Sequence, residues 1–66
     1  MNYFELLVQT IKETAPAAMK MTEEEYQAMK ASVLKDAADT GRLSIYQLMV
    51  GVFESLDHKR AQLSKN

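Results

Sequence analysis

The stretch Ile45–Phe53 constrains this chain more than any other: of its nine residues only Gln47 and Gly51 are not apolar. It is far too short for the roughly 20 apolar residues that a membrane span needs. It must therefore be covered by protein, and a chain of 66 residues has little else to cover it with. Read as a helix at about 100° per residue, Ile45, Leu48, Met49, Val52, Phe53 and Leu56 share one face. Tyr46, Val50 and Phe53 carry the apolar arc round the adjacent flank. An arc approaching half the circumference is wider than one packed neighbour requires. Two neighbours are needed, and the rest of the sequence has to supply them or a second copy must.

The punctuation gives three helices, because one proline and two glycines interrupt a chain rich in good helix formers. The first starts at Asn2, an N-cap with Glu5 at capping-box spacing. Phe4, Leu7, Val8 and Ile11 fall on one face, and Pro16, which disfavours helical geometry at Ala15, places its end near Thr14. A resumption or kink beyond the proline is the alternative, since "APAAMK" is rich in helix formers. The second helix is expected over 23–40. Thr22 and Glu25 form its capping box, Met21 and Tyr26 its hydrophobic staple, and Glu23, Glu24 and Glu25 suit the positive end of the dipole. Tyr26, Met29, Val33, Leu34, Ala37 and Ala38 form its buried stripe, and Gly41 supplies the left-handed residue past its end. The third is expected over 45–62, with Ser44 as N-cap, Gln47 at N3 and a Leu43–Leu48 staple. Lys59 and Arg60 complement the dipole at its C-terminus, and residues 63–66 form a frayed tail.

The fold class expected is therefore all-α: one domain of three helices, about 2–14, 23–40 and 45–62. A link as short as Gly41–Ser44 makes the last two an antiparallel hairpin. Chains this short are marginally stable and usually need a disulfide, a metal or a partner subunit. There is no cysteine, so a partner subunit is the staple left, and a homodimeric helical bundle is the expected assembly. The flank of the third helix then meets either the first helix of the same chain or a helix of a second chain. Gly51, on the polar side of the third helix, costs about 1 kcal/mol relative to alanine. It is either a tolerated imperfection or a point of close approach.

Charge and motif exclude several functions. The formal net charge is -1, whereas a domain that grips phosphate backbones carries clustered Lys and Arg. Ala37 and Gly41 have the spacing of the small residue and turn glycine of a DNA-binding helix-turn-helix. Gln47 and Asp36, however, would fall at its buried positions, and "SIYQLMVGVF" offers no basic side chain to base edges. A divergent helix-turn-helix in a dimeric transcriptional regulator is the alternative function. It would rely on scattered cations such as Lys30, Lys35, Arg42, Lys59 and Arg60. His58, with Glu54 and Asp57 nearby, falls short of a metal ligand set. Ser32, Ser44 and Ser55 lack a paired histidine, and there is no glycine-rich phosphate loop. No cofactor and no enzymatic activity are expected. Five methionines read as core and staple residues, adaptable enough to suit a helix-binding surface. The opening "MNYFELLVQT" lacks a basic segment and carries Glu5; with the lack of cysteine, a cytoplasmic setting is expected.

The capped hairpin "TEEEYQAMKASVLKDAADTGRLSIYQLM", the small size and the lack of cysteine are similar to the small all-helical accessory or regulatory proteins of bacteriophages and mobile elements. The resemblance implies action through a protein partner and carries no functional residue across. The expected function is a self-associating protein-interaction module. Its contact residues are expected among Tyr3, Leu6, Tyr46, Met49, Val50 and Phe53, with nucleic acid and membrane not expected as partners.

Overall fold

The structure is a computed structural model and describes residues 2–64. Three helices follow one another: α1 (Tyr3–Lys20), α2 (Glu23–Asp39) and α3 (Leu43–Ser64). The two caps read from local sequence at the first two helix starts are present. Asn2 Oδ1 accepts the Glu5 N–H at 2.8 Å. Thr22 Oγ1 accepts the Glu25 N–H at 3.2 Å while Glu25 Oε1 accepts the Thr22 N–H at 2.9 Å, a complete capping box.

The ends differ from expectation in two places. α1 does not stop near Thr14 but runs through Pro16 to Lys20. The Thr10 hydroxyl donates to the Leu6 carbonyl and the Thr14 hydroxyl to the Thr10 carbonyl, both at 2.8 Å. The turn beyond the proline is fixed by tertiary contact, because Ala18 is wholly buried in the core. α3 starts at Leu43 and reaches Ser64. Ser44 is thus its second helical residue and not its N-cap, and Leu43 stands 69% exposed, so it makes no staple. The cause lies in the turn. Gly41 takes φ 72° and donates its N–H to the Ala38 carbonyl at 3.1 Å. The Arg42 N–H then goes to Thr40 Oγ1 at 3.1 Å, and that hydroxyl donates to the Ala37 carbonyl at 2.6 Å. With its N–H spent on the turn, Arg42 accepts from the Tyr46 N–H at 3.2 Å, and the helix starts directly after it. Of the expected frayed tail, Leu63 and Ser64 are helical; Lys65 and Asn66 lie outside the described residues.

α3 is the central element. It packs against both α1 and α2, which barely touch each other. The pairs Glu23–Arg60, Tyr26–Asp57 and Lys30–Asp57 run in opposite senses along α2 and α3, which makes the hairpin antiparallel. Leu7 lies against Gly51, and the Ala18 carbonyl against Arg60, so α1 runs parallel to α3. The wide apolar arc of α3 therefore finds both its neighbours within the chain.

Gly51 is a point of close approach, and the neighbour is α1. A Cβ built on it would lie 3.3 Å from Leu7 Cδ1. The core cluster comprises Ala18, Tyr26, Val52, Phe53 and Leu56, with Leu7, Ile11, Met19, Met29, Val33 and Met49 packed half-buried against it.

Candidate functional site

The two ends of the molecule differ in how they are finished. At the end where α1 passes into α2, polar side chains close the core. Tyr26 is 1% exposed and sets its ring edge-on to Phe53 with centroids 6.1 Å apart. Its hydroxyl donates to Asp57 Oδ1 at 2.5 Å, and Lys30 Nζ donates to Asp57 Oδ2 at 2.8 Å. Burial and the hydrogen bond to Asp57 push the Tyr26 phenol well above its usual range, so it stays neutral. Partial burial alone would raise the Asp57 carboxyl; the hydrogen bonds from Lys30 and Tyr26 outweigh it and hold the group below its usual range.

Arg60 is the centre of this end. Its Nη1 donates to the carbonyls of Ala18 at 2.7 Å and Met21 at 3.0 Å, and its Nη2 to Glu23 Oε2 at 3.1 Å. The guanidinium carbon sits 4.4 Å from the centre of the Tyr26 ring. Helix C-termini leave carbonyls without intrahelical donors. Here the Thr22 N–H, four residues beyond Ala18, is taken by Glu25, so the buried Ala18 carbonyl needs another donor. Arg60 provides it. Its expected part as complement to the dipole of its own helix gives way to this one: it caps the C-terminus of α1 and clasps the N-terminus of α2. Glu23, Tyr26 and Lys30 on α2, with Asp57 and Arg60 on α3, recur at helical spacings of three and four. That periodic polar stripe beside the apolar one is the sequence signal that would have pointed to this cluster. Chemically the cluster is a tie between helices.

The opposite end is finished differently. Because α1 and α3 are parallel, their N-termini lie together there, beside the α2–α3 turn. Among the described residues, five of the six exposed large apolar side chains gather at this end: Tyr3, Phe4, Leu6, Leu43 and Tyr46. A depression of about 330 Å³ lined by Ala38, Gly41, Arg42, Leu43 and Tyr46 marks one side of it. Another of about 350 Å³ lies along Phe4, Val8 and Lys12. Of the residues expected to make contacts, Tyr3, Leu6 and Tyr46 belong to this surface and Val50 is half-buried beside it. Phe53 does not belong: it is 3% exposed and part of the core. Met49 is half-buried against that core. The helical wheel puts Met49 on the main apolar face and Phe53 on its flank as well, and it cannot say that α1 and α2 already cover both.

The fold and its exposed end define a small three-helix protein centred on α3, and no helix among the described residues is long and apolar enough to cross a membrane. Comparison with family models, with curated proteins and with solved structures finds no match.

Proposed function

We propose that this chain is a small helical protein–protein interaction module that self-associates as a homodimer and acts by binding a partner protein, in a regulatory or accessory role. The observation that carries the reading is the gathering of Tyr3, Phe4, Leu6, Leu43 and Tyr46 at one end. Single exposed apolar residues are ordinary, whereas five toward one end of so small a fold favour an interaction surface there.

Two global measures support it. The accessible surface is 4811 Å², against about 4,250 Å² for a compact monomer of this mass. The radius of gyration is 12.1 Å, against about 10.8 Å for a compact chain of this length. The surplus area is of the order that one partner contributes to a standard interface, about 800 Å². The chain is under-covered, and five of the six large apolar side chains left exposed among the described residues lie toward one end.

The test is solution mass by light scattering across a dilution series, with helicity recorded alongside. The wild type is expected at twice the monomer mass, falling towards monomer on dilution. Leu43→Glu with Tyr46→Glu, both at exposed positions, is expected to remain monomeric at every concentration with its helicity kept. A wild-type chain that is monomeric throughout refutes the self-association.

A further inference from the structure

A second surface lies apart from the apolar end. Between α1 and α3 runs an open groove of about 610 Å³, lined by Lys12, Pro16, Met19, His58, Lys59 and Leu63 among others. Its floor is apolar: Met19 is half-buried against the core and Leu63 stands 56% exposed at the far end. Its rim is cationic. Lys12 comes from α1 and Lys59 from α3, with His58 beside them, and no carboxylate lines it. Neither Lys12 nor Lys59 has a carboxylate partner among the described residues; the ion pairs found there belong to Lys30 and Arg60.

The wall carries a further polar group. Pro16 has no N–H, so the Lys12 carbonyl lacks the donor that an ordinary residue at position 16 would give it. One intrahelical hydrogen bond is thus missing where Lys12 and Pro16 meet the groove. From Lys12 to Met19 the α1 wall extends about 10 Å, two helical turns. An open channel of that length between two parallel helices has the form that receives a third helix, read through apolar side chains spaced i, i+3 or i+4, and i+7.

From the apolar floor and the unanswered cations of the rim, we infer that this groove binds an amphipathic helix whose apolar stripe is flanked by Glu or Asp. The inference rests on the binding-module reading above and gives its protein partner a chemistry; it requires that the dimer forms through another surface. Phosphate backbones need no apolar floor, and Lys12 and Lys59 line this one with Met19 and Leu63 between them.

The experiment titrates the full chain into a fluorescein-labelled helical peptide about four turns long, with a leucine stripe at i, i+4, i+7 and glutamate flanks. The controls are a scramble of the same composition, a version with lysine flanks, and phosphatidylglycerol vesicles. The wild type is expected to bind the acidic peptide at least about tenfold more tightly than the scramble or the lysine-flanked version, and less tightly as salt is raised. Lys12→Glu with Lys59→Glu is expected to lose at least about tenfold for the acidic peptide and to gain for the lysine-flanked one. Both lysines are exposed, and helicity by circular dichroism confirms that the variant is folded. Equal binding of the scramble, charge reversal that leaves affinity within twofold, or binding of vesicles in place of peptide overturns the inference. Light scattering on the same variant separates this result from the self-association. Unchanged mass with lost peptide binding supports the groove as a partner site. Dissociation into monomers would make a second copy its occupant and overturn the proposal.

Discussion

Replacing Arg60 by alanine should come close to unfolding this chain. The largest loss is at the Ala18 carbonyl, which is buried and whose helical donor is spent on the capping box. Leaving a buried acceptor unanswered costs about 1–3 kcal/mol. The stacking over Tyr26 at 4.4 Å adds about 0.5–1 kcal/mol, since the Arg60 side chain is only 15% exposed. The pair with Glu23 adds close to nothing, because Glu23 is 71% exposed and such pairs are screened. The sum is about 3 kcal/mol, in a chain whose whole stability, at 0.05–0.15 kcal/mol per residue, is about 3–10 kcal/mol.

Urea and thermal denaturation followed by circular dichroism at fixed protein concentration would measure it. At about 4–8 °C per kcal/mol for a domain of this size, the alanine variant should melt about 12–24 °C lower. Arg60→Lys should lose about 1–2 kcal/mol, because a point charge cannot serve two carbonyls and lie flat on the ring at once. Glu23→Gln should lose less than about 0.5 kcal/mol. Two results would refute the reasoning. Arg60→Ala within about 0.5 kcal/mol of wild type would mean that the Ala18 carbonyl needs no protein donor. Glu23→Gln as costly as Arg60→Ala would mean that the ion pair, and not the carbonyl clasp, holds this end together.

Two further perturbations have signs fixed by the structure. Gly51→Ala gains about 1 kcal/mol of helix propensity, while its Cβ would meet only the tip of half-buried Leu7 at 3.3 Å. A net stabilisation of about 0.5 kcal/mol, or about 2–4 °C, is expected, and a lower melting temperature would show that α1 cannot give way at the crossing. Asp57, held below its usual range against Lys30, Tyr26 and Arg60, binds protons more readily unfolded than folded. Its stabilisation is present above the unfolded carboxyl value, about 3.9, and fades as pH falls through the lower folded value. Asp57→Asn should therefore flatten the acid limb of a melting-temperature profile between about pH 5 and pH 2 and lower the plateau at neutrality; parallel profiles would refute the assignment.

What could be read from the sequence was what is decided locally. Asn2, Thr22 and Gly41 take their cap roles because each bond closes within four residues, so residue type and spacing suffice. The all-helical class and the hairpin followed from the same signals. The errors arose where a distant contact overrides a local preference. Pro16 disfavours the helix at Ala15, yet the turn beyond it is held by burial of Ala18 and by a guanidinium 42 residues away. That misplaced end also hid Arg60: with α1 stopping near Thr14, no orphan carbonyl exists at Ala18 for it to serve. Ser44 looks like a better cap than Arg42 in isolation, and loses because the Thr40 hydroxyl draws the turn two residues tighter. Tyr3, Leu6 and Tyr46 were recognisable as surplus apolar surface. Phe53 was not separable from them until the path of both neighbouring helices was known.

The clasp also changes what the case for a dimer rests on. A chain this short needs a staple, and with no cysteine the sequence left a second subunit as the candidate. Arg60 is a staple of another kind. It joins the end of α1 and the start of α2 to the last third of α3, closing a polar contact that spans 42 residues. Loop-closure cost rises only slowly with length, so one guanidinium that serves two carbonyls and a carboxylate can fix a topology that local hydrogen bonds cannot. With that end secured from within, the need for a staple no longer argues for a second copy. The argument for association now comes from the opposite end, where Tyr3, Phe4, Leu6, Leu43 and Tyr46 remain exposed although α1 and α2 already flank α3. A chain that has closed its core at one end and leaves aromatic and leucine side chains together at the other carries surface its own fold does not use, and that surface is where a partner must be sought first.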